Sequence, residues 1–180
     1  MTLISALRPA GSFHPGFADL ALRVAAHGLG TTAPNPSVGA VLVRGETLLA
    51  TGVTQPGGRP HAEIVALSRA AARWGPDAAR GASMYVTLEP CCHQGRSGPC
   101  SKALLKAGVA QVFVGTPDPN PAVAGGGINE LRAAGVHVHV QHDPRARWLT
   151  AGHGLVCLTA RPFVQAKIAV AADGLIPVGT

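Results

Sequence analysis

Hydrophobic and polar positions form blocks along the chain, and these blocks predict both helices and strands. Apolar residues three to four positions apart predict amphipathic helices, whereas short apolar runs bounded by turn-forming residues predict strands. The predicted helices are Phe17–Leu29, His61–Trp74, a helix that begins near Pro99 and runs through Leu104 and Leu105 to Gly108, and Gly127–Ala134. The predicted strands are Val38–Val43, Leu48–Val53, Met84–Leu88, Gln111–Gly115 and Val136–Val140. The first two strands flank Gly45, which indicates a hairpin.

The order of these elements predicts the fold class. One helix, a hairpin and then alternating helices and strands favour a three-layer α/β/α sandwich around a five-stranded, mixed sheet. Strands that are joined through a helix are expected to be parallel. In such sheets ligands bind at the carboxyl ends of the strands and at the amino ends of the following helices. We therefore look for chemistry at that edge.

Composition narrows the classes of protein that fit. The chain has 180 residues, of which 47% are hydrophobic, enough for the core of one compact domain. Its start lacks the pattern of a secretory signal and no apolar run approaches about 18 residues, so we expect a cytoplasmic protein. The net charge of +6 comes from scattered basic residues, and aromatic residues make up only 4%. This pattern does not favour a nucleic-acid partner; a basic surface or attraction to a small phosphorylated substrate explains the charge.

Three of the four cysteines lie within the stretch TLEPCCHQGRSGPC, residues 87–100. Such crowding is compatible with a disulfide, a structural zinc site or one part of a catalytic metal site. A reducing compartment disfavours the disulfide, and crowded cysteines there more often bind metal or take part in catalysis.

A catalytic metal site needs further ligands, and His61 is a candidate at the start of a predicted helix. With Cys91 and Cys100 it would complete the three protein ligands of a catalytic zinc, which keeps its fourth position for water and lowers the pKa of that water. Glu63, two residues beyond His61, could carry a proton in the same pocket. Taken singly, a histidine at a helix start is more often a cap or a core residue. A glutamate in the first turn more often serves only to interact favourably with the helix dipole. Together, H-x-E, P-C and a second cysteine match the zinc deaminase signature, although eight residues instead of two separate the cysteines.

Several motifs in one order extend this match over most of the chain. They are Ala33–Val41 (APNPSVGAV), His61-Ala62-Glu63, Pro90–Cys100 (PCCHQGRSGPC) and Asp118–Pro121 (DPNP), followed by Ala124–Gly127 (AGGG). From about Phe17 to Asp173 the chain resembles the deaminase domain of the bifunctional riboflavin-biosynthesis deaminase/reductase, a branch of the cytidine-deaminase-like superfamily. The resemblance implies Zn²⁺ bound by His61, Cys91 and Cys100, with Glu63 as the catalytic proton carrier. The implied reaction is hydrolysis of the ring amino group of 2,5-diamino-6-ribosylamino-4(3H)-pyrimidinone 5′-phosphate, which releases ammonia.

The resemblance also implies contacts with the substrate. Asn35 and Asn120 match asparagines of the family that contact the substrate, and an amide both donates to and accepts from a pyrimidinone edge. Arg96 could pair with the substrate phosphate through its planar guanidinium, with His93 nearby. Alternatively, both asparagines are ordinary turn residues beside prolines and Arg96 is a solvated loop residue.

The chain departs from the family pattern at two positions. Cys92 stands where serine is common in the family. We exclude Cys92 from the ligand set because adjacent residues rarely bind one tetrahedral ion together and the spacing is met without it. Thr54 stands where relatives often have a histidine on the substrate side, which puts that contact in doubt. The fourth cysteine, Cys157, lies in an apolar stretch and is interpreted as a buried thiol.

The last residues indicate a second unit. Arg161–Val170 resembles the opening strand of the family's NADPH-dependent reductase domain. We therefore expect residues 1–150 to form the deaminase domain and residues 151–180 to be a linker with a truncated first reductase strand, so that the chain deaminates without reducing. That strand would stay loose or pair with the sheet edge of a neighbouring copy, giving a homo-oligomer.

Two other functions stay open. A nucleic-acid deaminase, or one acting on free cytosine or adenine, would use the same zinc site. A non-catalytic zinc module would instead have a closed site with Cys92 or His93 as the fourth ligand, and substitution of Glu63 would then remove no activity.

Overall fold

A five-stranded sheet lies between two layers of helices in the computed structural model, which describes residues 11–94, 98–121 and 123–176. The strands are β1 (Gly39–Arg44), β2 (Thr47–Val53), β3 (Ser83–Leu88), β4 (Gln111–Thr116) and β5 (His137–Val140), in the spatial order β2-β1-β3-β4-β5. β1 is antiparallel to both of its neighbours, whereas β3, β4 and β5 are parallel. The predicted hairpin, the mixed sheet and the three-layer fold class are confirmed.

The helices cover both faces of the sheet. They are α1 (Pro15–Ala26), α2 (Ala62–Trp74), α3 (Cys100–Lys106), α4 (Gly126–Ala133), α5 (Pro144–Leu149) and α6 (Ala151–Thr159). α1 and α5 contact one face and each other, α2, α3 and α4 form a continuous row along the other, and α6 packs on α5. Within the described ranges, no helix combines the length and the apolar character needed to cross a membrane.

Alternating side chains along the central strands produce two separate cores. In β3, Met84 and Val86 point into the larger core under α2, α3 and α4, whereas Tyr85 points into the smaller core under α1. Because successive side chains of a strand point to opposite faces, a strand buried on both faces is a short apolar run. This explains why Met84–Leu88 was recognisable as a strand.

Close packing of α2 on β2 places the start of that helix at the functional edge. A Cβ atom at Gly52 would lie 2.1 Å from the carbonyl oxygen of Ala62, so only glycine allows this approach. β2 and β3 run in the same direction because both are antiparallel to β1. The segments that follow these two strands therefore meet at one edge of the sheet.

The predicted boundaries differ from the structure mainly near the two ends of the chain. α1 begins at Pro15 instead of Phe17 and ends at Ala26, because proline suits the first helical position and the His14 ring accepts a hydrogen bond from the amide of Gly16 (3.1 Å). α5 and α6 were not predicted, although Asp143 followed by Pro144 is a helix-start signal. α6 occupies residues 151–159 of the segment interpreted as a linker. Residues 161–176 form no strand, and their assignment to a second domain stays a prediction.

Candidate metal centre and active-site cavity

Four segments bring the candidate residues together at the carboxyl end of β3. His61 occupies the N-cap position of α2, Cys91 follows β3 after Glu89 and Pro90, and Cys100 is the first residue of α3. Asn120 lies in the segment after β4. This is the edge at which sheet topology predicts ligand binding.

The three proposed ligands form one compact cluster. Nδ1 of His61 lies 3.6 Å from Sγ of Cys91 and 3.4 Å from Sγ of Cys100. All three donor atoms lie within 4.8 Å of one another. Tetrahedral zinc with Zn–N near 2.0–2.1 Å and Zn–S near 2.3 Å separates its nitrogen and sulfur ligands by roughly 3.6 Å. The donor set and its spacing therefore fit a zinc ion.

The two thiols of the cluster differ in their protonation. The pKa of Cys91 is lowered to about 4 because the thiol of Cys100 donates a hydrogen bond to its sulfur, with further support from the His61 imidazole and the Cys100 backbone N–H at 3.4 Å. The pKa of Cys100 is raised by the same hydrogen bond and by burial. The contact with Cys91 also raises the pKa of His61. Cys91 is thus prepared as a thiolate, and a metal bound by both sulfurs would displace the Cys100 proton.

Glu63 lies in the first turn of α2, two residues after His61, and its side chain is only 3% exposed. Burial raises the pKa of its carboxyl group to about 7. A carboxyl group that titrates near neutral pH can both accept and return a proton under working conditions. Glu63 is not one of the three clustered donor atoms, so its carboxyl group is available for this role.

A cavity of about 180 Å³ opens beside the cluster. His61, Glu63 and Cys91 line it, together with the predicted substrate residues Asn35, His93 and Asn120. His93 is exposed, whereas Asn35 and Asn120 are half-buried. The structure therefore brings three of the four predicted substrate residues to the cavity; the fourth, Arg96, lies outside the described residues.

Asn35 and Thr54 both make contacts within the protein. The Asn35 amide donates to the carbonyl of Gly58 (2.8 Å) and its nitrogen lies 3.4 Å from Nε2 of His61. Asn35 therefore lies directly against the His61 ring as well as lining the cavity. The Thr54 hydroxyl is buried and accepts a hydrogen bond from the Val38 amide (3.0 Å), so this side chain joins two segments of the cavity wall.

The remaining cysteines lie apart from the cluster. All four cysteines are free thiols, so the disulfide interpretation is wrong in this structure. Cys92 points to the start of α4, where a Cβ atom at Gly126 would lie 2.6 Å from its sulfur. Among the described residues, neither Cys92 nor His93 joins the three clustered donors, which disfavours a closed four-ligand module. Cys157 is half-buried beside His153 on α6, not deep in the core.

Glu89, Asp118 and His153 are among the residues lining the same cavity that sequence reasoning missed. Nε2 of His153 lies 3.2 Å from Oδ1 of Asp118, which joins α6 to the segment after β4. Asp118 opens the Asp118–Pro121 motif and Glu89 directly precedes the Pro90–Cys100 motif, so their positions were a usable signal for both. No comparable signal marked His153 because α6 was not predicted.

Comparison with known families settles which family has this arrangement. Residues 12–116 match the sequence model of the cytidine and deoxycytidylate deaminase zinc-binding region. The chain belongs to this family. The match covers the cluster, the Glu63 helix and β1 to β4, and it agrees with a zinc cofactor at His61, Cys91 and Cys100.

Longer relatives are riboflavin biosynthesis proteins. RibD of Synechocystis is 45% identical over 156 residues, which are 86% of this chain and 41% of that protein. RibD of Escherichia coli is 43% identical over 155 residues, again 86% of this chain and 41% of that protein. The chain thus spans about two fifths of the length of these relatives.

Solved structures agree with this assignment. RibD of Acinetobacter baumannii superimposes with a TM-score of 0.79 at 42% identity, covering 88% of this chain and 44% of that one. The diaminohydroxyphosphoribosylaminopyrimidine deaminase/5-amino-6-(5-phosphoribosylamino)uracil reductase of Thermotoga maritima superimposes with a TM-score of 0.80 at 38% identity. The superposition covers 88% of this chain and 45% of that one. The expected cytidine-deaminase-like fold and the resemblance to the deaminase domain of this bifunctional family are both confirmed.

Proposed function

We propose that this chain is a zinc-dependent hydrolytic deaminase that acts on 2,5-diamino-6-ribosylamino-4(3H)-pyrimidinone 5′-phosphate in riboflavin biosynthesis. One observation carries the proposal: His61, Cys91 and Cys100 share a cluster beside a buried carboxyl group, at the wall of a cavity. Identity of 38–45% with RibD proteins over this region supports the choice of substrate. Residues 1–150 are proposed as the deaminase unit.

The chain's own residues divide the work of the reaction. A zinc ion held by His61, Cys91 and Cys100 would supply Lewis-acid chemistry that makes water a nucleophile at neutral pH. The Glu63 carboxylate accepts a proton from that water and donates it to the ring amino nitrogen, so that ammonia leaves in place of an amide ion. A pKa near 7 suits both steps, because the group changes its protonation state readily at that pH.

The cavity wall supplies contacts for orienting the pyrimidinone ring. The amides of Asn35 and Asn120 line the same cavity as Glu63. The Asn35 nitrogen already donates to the Gly58 carbonyl, so its oxygen is the atom proposed to accept a hydrogen bond from the ring. His93 lies at its rim. Arg96, two residues beyond Gln94, is proposed to pair with the substrate phosphate.

Ammonia release tests the proposal. The zinc-loaded chain is incubated separately with the diaminopyrimidinone phosphate, with free cytidine and adenosine nucleotides and with single-stranded RNA. We expect ammonia in a 1:1 ratio to the diaminopyrimidinone phosphate consumed, loss of release with a chelator, and no release from the other compounds. Release only from a nucleotide or from RNA would replace the proposed substrate, and no release from any of them would contradict deaminase activity.

We further propose that the apolar tail promotes self-association. Phe163, Val164, Ile168 and Val170 are each at least half exposed. Exposed apolar residues in an extended segment are prone to pair with another chain. Light scattering should give a smaller particle when the chain ends at Ala160, with ammonia release unchanged; an unchanged particle size would contradict this role.

A further inference from the structure

A buried carboxylate that the reaction does not use lies next to the metal cluster. Glu89 is 3% exposed and accepts four hydrogen bonds from backbone N–H groups. Its Oε2 accepts from Asp118 (3.1 Å) and Gly125 (3.0 Å), and its Oε1 accepts from Gly127 (3.0 Å) and Ile128 (3.2 Å). Four donors compensate for the loss of water around a buried charge.

Two of these bonds hold the two ends of the Asn120 loop, the name that we give to residues 118–121 and 123–125. Within it, the Asn120 amide donates to Oδ1 of Asp118 (2.8 Å), and the Asn120 carbonyl accepts from the amides of Val123 (2.9 Å) and Ala124 (2.8 Å). These contacts tie the position of Asn120 to the positions of the loop ends. The amides at both ends donate to the Glu89 side chain, and the Asp118 end also contacts His153 of α6.

The other two bonds hold the start of α4. The N–H groups of a first helical turn have no partner within the helix, and the cap residue Gly125 has no side chain to offer. Glu89 supplies the missing acceptor from another segment, and its negative charge suits this end of the helix dipole. The contact is close, since a Cβ atom at Gly127 would lie 1.8 Å from the carbonyl oxygen of Pro90.

Glu89 therefore joins three parts that must keep a fixed geometry. Its own backbone continues through Pro90 to the metal ligand Cys91, and its side chain holds the Asn120 loop and α4. We propose that Glu89 is a positioning residue that fixes the distance between Asn120 and the metal ligand Cys91. The substrate ring is thereby oriented relative to the carboxyl group of Glu63. The inference rests on the proposed function, and Glu89 acts through Asn120.

The substitution Glu89→Gln tests this role at constant size. Glutamine has one oxygen acceptor, and its NH₂ group would face N–H donors that the second carboxylate oxygen now accepts. We expect KM for the diaminopyrimidinone phosphate to rise at least about tenfold, equivalent to about 1.4 kcal/mol of binding. The change in kcat should be smaller, and the variant should still bind one zinc per chain. Glu46→Gln, at the exposed hairpin turn, is the matched control and should leave both constants unchanged. A parental KM in Glu89→Gln would overturn the proposal.

Hydrogen–deuterium exchange provides a readout that does not depend on activity. Amides of residues 117–128 should exchange faster in Glu89→Gln than in the parent, whereas β3 and β4 keep their protection. Unchanged exchange in residues 117–128 would overturn the proposal even if KM rose. A parent chain that releases no ammonia would contradict the proposed function, while this comparison would still decide the role of Glu89.

A second variant covers a failure of Glu89→Gln to fold. Glu89→Asp keeps the charge but shortens the side chain by one methylene group, so it cannot reach both the loop ends and the start of α4. We expect a rise in KM and faster exchange of residues 117–128 in the same direction. Parental values for both measurements in a folded Glu89→Asp chain would contradict the proposal.

Discussion

Nδ1 of His61 lies 3.4 Å from Sγ of Cys100, although 39 positions separate the two residues in the chain. His61 occupies the N-cap position of α2 and Cys100 is the first residue of α3, and these helices are neighbours on the same face of the sheet. The fold therefore assembles the metal cluster from two helix starts and the end of a strand.

Removing one sulfur from the cluster should release the metal. In Cys100→Ser a hard hydroxyl replaces a soft thiolate, and we expect zinc affinity to fall by more than about 100-fold. This loss exceeds the roughly 10- to 100-fold typical of mutating a residue that only hydrogen-bonds to a metal ligand. Zinc per chain after dialysis against a weak chelator measures the effect. Cys157→Ser, which changes a cysteine on α6, should retain its zinc. Equal retention by the two variants would contradict the ligand set.

Glu63→Gln should separate proton transfer from metal binding. The amide keeps the size of the side chain but cannot carry the proton, so we expect kcat to fall by about 10²- to 10⁴-fold. Zinc content should equal that of the parent, because Glu63 is not among the clustered donors. Ammonia release at the parental rate from a zinc-loaded Glu63→Gln chain would exclude Glu63 as the proton carrier.

Arg96→Ala should affect only the phosphorylated form of the substrate. Loss of a guanidinium–phosphate pair is expected to raise KM by about 10- to 100-fold, consistent with a charge-assisted hydrogen bond of about 1.5–3 kcal/mol. The same ring compound without its phosphate should give equal KM values with parent and variant. Arg23→Ala, in the last turn of α1, controls for the loss of net positive charge. An equal effect of Arg96→Ala on both substrates would assign this arginine to the fold instead.

The fold class was predictable because the central strands are short apolar runs separated by helical patterns. The metal cluster was predictable because H-x-E and the two P-C pairs are local motifs whose topology brings them to one edge. The proposed role of Glu89 was not predictable from the sequence. Its partners lie 29–39 positions further along the chain and are backbone groups that leave no pattern in the sequence.

α6 was missed for a different physical reason. Gly152 and Gly154 are poor helix formers, and the helix is held instead by packing on α5 and by the contact of His153 with Asp118. Such tertiary stabilisation is not visible in local propensity. The boundaries of α1 were missed because a histidine cap is uncommon, although Pro15 marked the start.

Asp143→Ala should destabilise the fold in a pH-dependent manner. The Asp143 side chain caps α5 by accepting from the Arg145 amide (2.8 Å), and hydrogen bonds from the Arg145 guanidinium lower its pKa. Since the folded pKa lies below the unfolded one, the stabilisation is complete above about pH 4 and is lost as the pH falls through the folded pKa. We expect the substitution to lower the free energy of unfolding by about 1 kcal/mol at pH 7. Most of this loss comes from the missing cap, because the ion pair is exposed and contributes little.

Urea unfolding at pH 7 and pH 3 measures this effect. The difference in the free energy of unfolding between parent and Asp143→Ala should be smaller at pH 3 than at pH 7. Asp143→Asn is the matched control, since it keeps a capping oxygen and should lose less stability at pH 7. The same difference between parent and Asp143→Ala at both pH values would show that the charge of Asp143 does not contribute.

Anomalous diffraction at the zinc absorption edge, from crystals of the zinc-loaded chain, tests the central claim most directly. We expect one peak per chain, at about 2.0–2.1 Å from Nδ1 of His61 and about 2.3 Å from Sγ of Cys91 and Cys100, with no fourth protein ligand. A peak bound by a fourth side chain, or no peak between these three atoms, would contradict a catalytic zinc centre.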